Sequence, residues 1–93
     1  MKIRFYIDPQ TKRPHIHKHN VTEKEVRDVL SCPGEDRSGK EGSRVAIGQT
    51  LFGRYIRIIY VPDPNPNSIF VITAYELQGK PLKAYKQRRR RKK

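Results

Sequence analysis

The sequence predicts one α+β domain, with an N-terminal strand and helices packed on an antiparallel sheet of about four strands. Three observations carry that expectation. Ile3, Phe5 and Ile7 alternate with Lys2, Arg4 and Tyr6, the two-residue period of a half-buried strand. Val26, Val29 and Leu30 recur at helical spacing behind a capping motif. Beyond residue 43 the chain becomes rich in β-branched and aromatic residues, broken by turn-forming stretches.

Each element has a local cause. Asp8-Pro9 stops the first strand. Residues 10–20 are polar and stay unassigned, with Pro14 able to begin a short helix but not to lie within one. Thr22 caps the next helix, Glu25 completes a capping box, and Val21 with Val26 forms a hydrophobic staple. Glu23 with Arg27 and Lys24 with Asp28 lie four apart on its wet side. Pro33-Gly34 ends that helix, and residues 34–43 read as a polar, Gly-rich loop. Three strands follow, at 44–49, 54–61 and 68–75, joined by a Thr50-Leu51-Phe52-Gly53 turn and a Pro/Asn-rich connection at 62–67. Leu82, Ala84 and Tyr85 anchor a short C-terminal helix, which places one domain at 1–86 and a basic tail at 87–93.

Charge points to the class of partner. The 93-residue chain carries a formal charge of +12. Residues 80–93 hold nine cations and no acid, whereas residues 1–79 hold twelve cations against nine acids. The run Arg88, Arg89, Arg90, Arg91, Lys92 and Lys93 is therefore expected to bind the phosphate backbone of RNA in a salt-dependent way, although an acidic protein would also neutralise it. A lone Cys32, expected to be half-buried, excludes an internal disulfide and a Cys-based zinc site. With no signal peptide and no apolar run of membrane-spanning length, the expected setting is cytoplasmic, without a membrane partner.

Strand parity sorts the candidate chemistry. Ile56, Ile58, Phe70 and Ile72 are expected under the helix, which leaves Arg57, Thr73 and Tyr75 on the opposite face. A cation and a phenol there suit a phosphate and a stacked base, and they equally suit a solvated strand and ordinary packing. His15, His17 and His19 would share a side if extended, whereas a helix would align only His15 and His19. No cysteine or well-placed acid completes a ligand set, so the expectation is surface histidines, with no metal and no cofactor. A histidine there still titrates near neutral pH and can serve as acid or base.

Asp8-Pro9, Lys18-His19-Asn20-Val21-Thr22, the Ile47-Gly48 to Gly53-Arg54 turn, Ile72-Thr73-Ala74-Tyr75 and Tyr85 follow one another in an order that, across residues 3–85, resembles the BrnT-type toxins of bacterial toxin–antitoxin pairs, within the RelE/ParE-like group. Asp8-Pro9 is followed at the family's interval by Lys18-His19-Asn20-Val21-Thr22. Ile47-Gly48-Gln49-Thr50-Leu51-Phe52-Gly53-Arg54 is similar to the family's Ile-Gly-x-Ser/Thr-x-x-Gly-Arg. Ile72-Thr73-Ala74-Tyr75 is similar to its Ile-Ser-Ala-Arg, and Tyr85 lies twelve residues past Thr73, as the family's C-terminal Tyr lies past its Ser. The chain departs where Tyr75 and Gln49 replace a frequent Arg and Pro81 replaces an acid.

The resemblance implies a RelE-like fold and a metal-independent endoribonuclease that cuts RNA, including ribosome-associated mRNA, by attack of the substrate's own 2′-hydroxyl. It also implies an acidic antitoxin as partner. In that scheme Arg54 and Arg57 meet phosphate charge, Lys18 positions, His19 is acid or base, and Tyr75 and Tyr85 stack or donate a proton. The alternative from a different class is a non-catalytic RNA-binding or ribosome-associated protein, to which the basic tail is equally suited.

Overall fold

The computed structural model describes residues 1–65 and 67–91, with the Arg91 side chain excepted. In chain order it contains β1 (Lys2–Phe5), a 3-10 turn (His15–His19), α1 (Glu23–Ser31), β2 (Glu35–Ser38), a second 3-10 turn (Lys40–Gly42), β3 (Arg44–Gln49), β4 (Tyr55–Pro62), β5 (Ser68–Glu76) and α2 (Gly79–Arg91). The sheet runs β1-β5-β4-β3-β2. The α+β class holds, but the sheet has five strands rather than about four, and it is mixed rather than antiparallel. β1 lies parallel to β5, whereas the other pairings are antiparallel.

The additional strand is β2, inside the stretch whose composition reads as loop. An edge strand needs pairing on one side only, and polar side chains protect its free side. Its position is held by side chains as well as by β3: Asp36 accepts from the Tyr60 hydroxyl at 2.6 Å and from Arg44 Nε at 2.9 Å.

α1 follows its sequence logic. Thr22 Oγ1 accepts from the Glu25 amide, and Glu25 Oε1 accepts from the Thr22 amide. Val21, Val26 and Val29 are buried with Ile16 against Ala46, Ile56, Ile58, Val71 and Ala74. Each fully buried Val or Ile there contributes about 1.5–3 kcal/mol. Lys24 pairs with Asp28 at 3.7 Å, but Glu23 turns to His17 Nε2 at 2.7 Å rather than pairing with Arg27.

Parity fails in the first half of β5. Ile59 pairs with Thr73 while Tyr60 pairs with Val71, so Ile72 is an extra, bulged residue. Ile69 and Val71 therefore enter the core in place of Phe70 and Ile72. Phe70 instead lies under the Arg4 guanidinium, 5.0 Å from its ring centre. Past the bulge the expected faces return, with Ala74 inward and Thr73 and Tyr75 opposite.

The second sheet face carries Val45, Ile47, Tyr55, Ile59 and Leu77, covered by Leu82 and Tyr85 of α2. α2 extends well past the short helix expected and runs through the 86/87 boundary. Lys, Gln and Arg are good helix formers, and a contact with the body holds their end of the helix. Arg88 binds Glu35 at 2.6 and 3.0 Å, and Arg89 donates to the Gly34 carbonyl at 2.8 Å. Among the described residues no helix is long and apolar enough to cross a membrane.

Candidate nucleic-acid interface

Cross-strand registers lay out the sheet face opposite α1. One row reads Tyr75, Arg57, Ile47 and Glu35, and the next reads Thr73, Ile59, Val45 and Arg37. Arg57 is thus central. Its Nε is buried without a hydrogen-bond partner among the described residues, and so is Thr73 Oγ1. Other arginines have carboxylate partners: Arg4 with Asp63, Arg44 with Asp36, Arg54 with Glu25 and Glu76, and Arg88 with Glu35. A half-buried guanidinium without such a partner is a centre of unneutralised charge in a medium where charge is poorly screened. Arg57 also lines a groove of about 460 Å³ with Arg37, Ser38, Lys40, Ser43 and Ile59.

The 3-10 turn packs against β5. Pro14 precedes it, and Asn20 closes it in the left-handed conformation at φ 58°. A ring series runs Tyr6, His15, His19, Tyr75, with His19 5.3 Å from His15 and 6.0 Å from Tyr75 between ring centres. The three histidines differ in their partners. His15 Nδ1 lies 3.4 Å from Asp8 and His17 Nε2 lies 2.7 Å from Glu23. His19 is exposed and its ring makes no hydrogen bond among the described residues, which leaves both nitrogens open to a ligand. No group of three metal-ligating side chains occurs among the described residues.

Asp8 organises the base of this turn. Lys18 at 2.7 Å, the Gln10 amide at 2.8 Å and then His15 hold its carboxyl far below the usual carboxylate range. A depressed carboxyl stabilises the fold above its unfolded pKa, near 4, and loses that contribution as pH falls. Thermal melts should therefore drop as pH falls below about 5. Asp8→Asn should lower the melting temperature at neutral pH and flatten that acid slope; an unchanged slope would contradict this role.

The remaining predicted residues lie elsewhere. Lys18 is engaged by Asp8. Arg54 sits at the start of β4, bound to both Glu25 oxygens at 2.8 Å and to the Asn20 carbonyl at 2.9 Å, so its charge is already neutralised. Tyr85 is 4% exposed and meets Tyr55 edge-on at 6.0 Å, which separates it from the His19–Tyr75 contact. Arg88 is tied to Glu35 and Arg89 donates to the Gly34 carbonyl, whereas Arg90 is exposed on α2. Lys92, Lys93 and the Arg91 side chain lie outside the described residues. Cys32 is exposed rather than half-buried. Sequence reasoning missed Arg37 and Lys40, because the strand that sets their side of the sheet was read as loop.

Residues 14–76 match the family model described as "Domain of unknown function (DUF4258)". The chain belongs to this family. Searches of curated proteins and of solved structures give no significant match. The DUF4258 span contains His19, Arg57, Thr73 and Tyr75, but neither β1 nor α2. The central sheet row and the histidine turn are thus parts of the family domain, while Tyr85 and the basic helix lie beyond the matched span.

Proposed function

We propose that this DUF4258 protein is a toxin-type endoribonuclease with a RelE-like arrangement, binding RNA at the Arg57 groove, on the part of the sheet face opposite α1 that α2 leaves open. The observation that carries the reading is Arg57, central on that face, partly buried and without a carboxylate partner. In this reading the substrate's 2′-hydroxyl attacks the adjacent phosphorus, and the 5′-oxygen leaves with a proton. Arg57 stabilises the extra negative charge on the phosphoryl oxygens. His19, with its ring nitrogens unengaged, exchanges the proton. Tyr75, against His19 and opposite Arg57, offers a ring for a base and a hydroxyl for the phosphate.

Lys18 and Arg54 then act by position. Asp8 and Lys18 brace the histidine turn, and Arg54 ties the start of α1 to β4. An acidic antitoxin is the companion this reading implies, since it would cover the same cations.

The test is cleavage of a defined RNA, alone and with ribosomes. Products should end in 2′,3′-cyclic phosphates, a 2′-deoxy nucleotide at the cut site should block the reaction, and EDTA should leave the rate unchanged. Cleavage of DNA at a comparable rate would refute the mechanism. RNA binding with no cleavage under either condition would assign the protein to non-catalytic RNA binding, a role to which the basic α2 is suited.

A further inference from the structure

A second cavity of about 350 Å³, sharing no lining residue with the Arg57 groove, opens between α2 and the linker at residues 32–34. We propose that this cavity binds a nucleotide through a terminal phosphate monoester, independently of cleavage at Arg57. Lys86, Arg89 and Arg90 line it together with Gln49, Tyr55 and Tyr85, and among the described residues no carboxylate lines it. Three cations, against one nearby carboxylate, Glu35, that Arg88 already pairs, favour a dianionic monoester over the single charge of a backbone phosphodiester.

The cavity has a fixed donor as well as mobile charge. Tyr85 is 4% exposed, lines the cavity, and its hydroxyl has no hydrogen-bond partner among the described residues. The ring is packed inside while the hydroxyl opens on the cavity, where it can donate to a phosphate oxygen. Gly34 makes room for it, since a Cβ there would overlap the Tyr85 hydroxyl. Arg89 is anchored at the same point by its bond to the Gly34 carbonyl, and the Lys86 ammonium is held 5.1 Å from the Tyr55 ring centre. Gln49 donates to the Gly53 carbonyl at 3.3 Å, which leaves its side-chain oxygen to accept from an exocyclic amine of a base. The volume lies at the small-ligand end of the usual range and matches one nucleotide.

The full-length protein is titrated calorimetrically with adenosine 5′-monophosphate, adenosine, and a ribotrinucleotide with and without a 5′-phosphate. Adenosine 5′-monophosphate should bind at least about tenfold tighter than adenosine, a gain typical of charge-assisted phosphate contacts. Arg89→Gln should remove most of that gain and Tyr85→Phe part of it, whereas Lys2→Gln, which removes the same charge elsewhere, should not. Arg57→Ala should slow cleavage roughly a hundredfold yet leave this binding intact, so the two readings fail separately. A phosphorylated trinucleotide that binds tighter than the mononucleotide identifies the end of an RNA strand as the ligand; the reverse order identifies a free nucleotide. Tyr85→Phe keeps the packed ring, and the exposed Lys86→Gln supplies a second variant if it does not fold. Equal affinity for adenosine and its monophosphate, or monophosphate binding indifferent to Arg89→Gln and Lys86→Gln, overturns the proposal.

Discussion

Replacing Arg57 with alanine is expected to slow RNA cleavage roughly a hundredfold while the domain stays folded and still binds RNA. The guanidinium has no carboxylate partner, so its removal strands no buried anion. It also removes a buried Nε that the protein itself leaves unsatisfied, and that offsets part of the packing lost with the side-chain stem. RNA affinity should change little, because α2 presents Arg89, Arg90 and neighbouring lysines independently. Loss of a transition-state contact lowers kcat and kcat/KM together, whereas loss of ordinary binding raises KM alone. Single-turnover rates, filter binding and thermal melts on one preparation separate these cases. Arg57→Lys should recover part of the rate, since it restores charge without the planar fork. His19→Ala should slow cleavage and alter its pH profile. A rate unchanged in Arg57→Ala would remove this sheet face from the mechanism.

What the sequence revealed depended on how local each cause was. The capping box, staple and valine stripe of α1 are written within ten consecutive residues, and the helix forms where they place it. β2 was illegible because an edge strand needs no hydrophobic alternation, and its hold on Asp36 comes from Tyr60 and Arg44. The bulge at Ile72 is set by pairing with β4, so period-two reasoning put Phe70 and Ile72 inside where Ile69 and Val71 belong. The same reasoning still placed Arg57, Thr73 and Tyr75 together, because all three lie on one side of that bulge. Arg54 and Arg57 look alike in sequence; only the folded chain sets the first among Glu25, Glu76 and the Asn20 carbonyl and leaves the second alone. The parallel pairing of β1 with β5 joins residues more than sixty positions apart, and no local pattern encodes it.

Deleting residues 88–93 should leave the domain folded but strip much of its salt-sensitive affinity for RNA. The apolar anchors of α2 are Leu82 and Tyr85, both retained by the cut. The deletion takes away the Arg88–Glu35 pair and the Arg89 bond to Gly34, and a partly exposed ion pair contributes only about 1 kcal/mol. Tyr85→Ala is the contrasting change: it empties a site 4% exposed, should cost about 3–5 kcal/mol, and frees α2 from the sheet. On RNA the order reverses. Six cations leave with the truncation, and each phosphate contact on a single strand contributes about 0.7 to the slope of log affinity against log salt. A slope shallower by about 4 is therefore the upper expectation, and about 3.5 if Arg88 spends its charge on Glu35. Cleavage at saturating RNA should persist, since Arg57 and His19 are untouched. Unfolding of the truncated chain would mean that the basic end of α2 is a structural clamp, and an unchanged salt slope would mean that RNA is held by the sheet face alone.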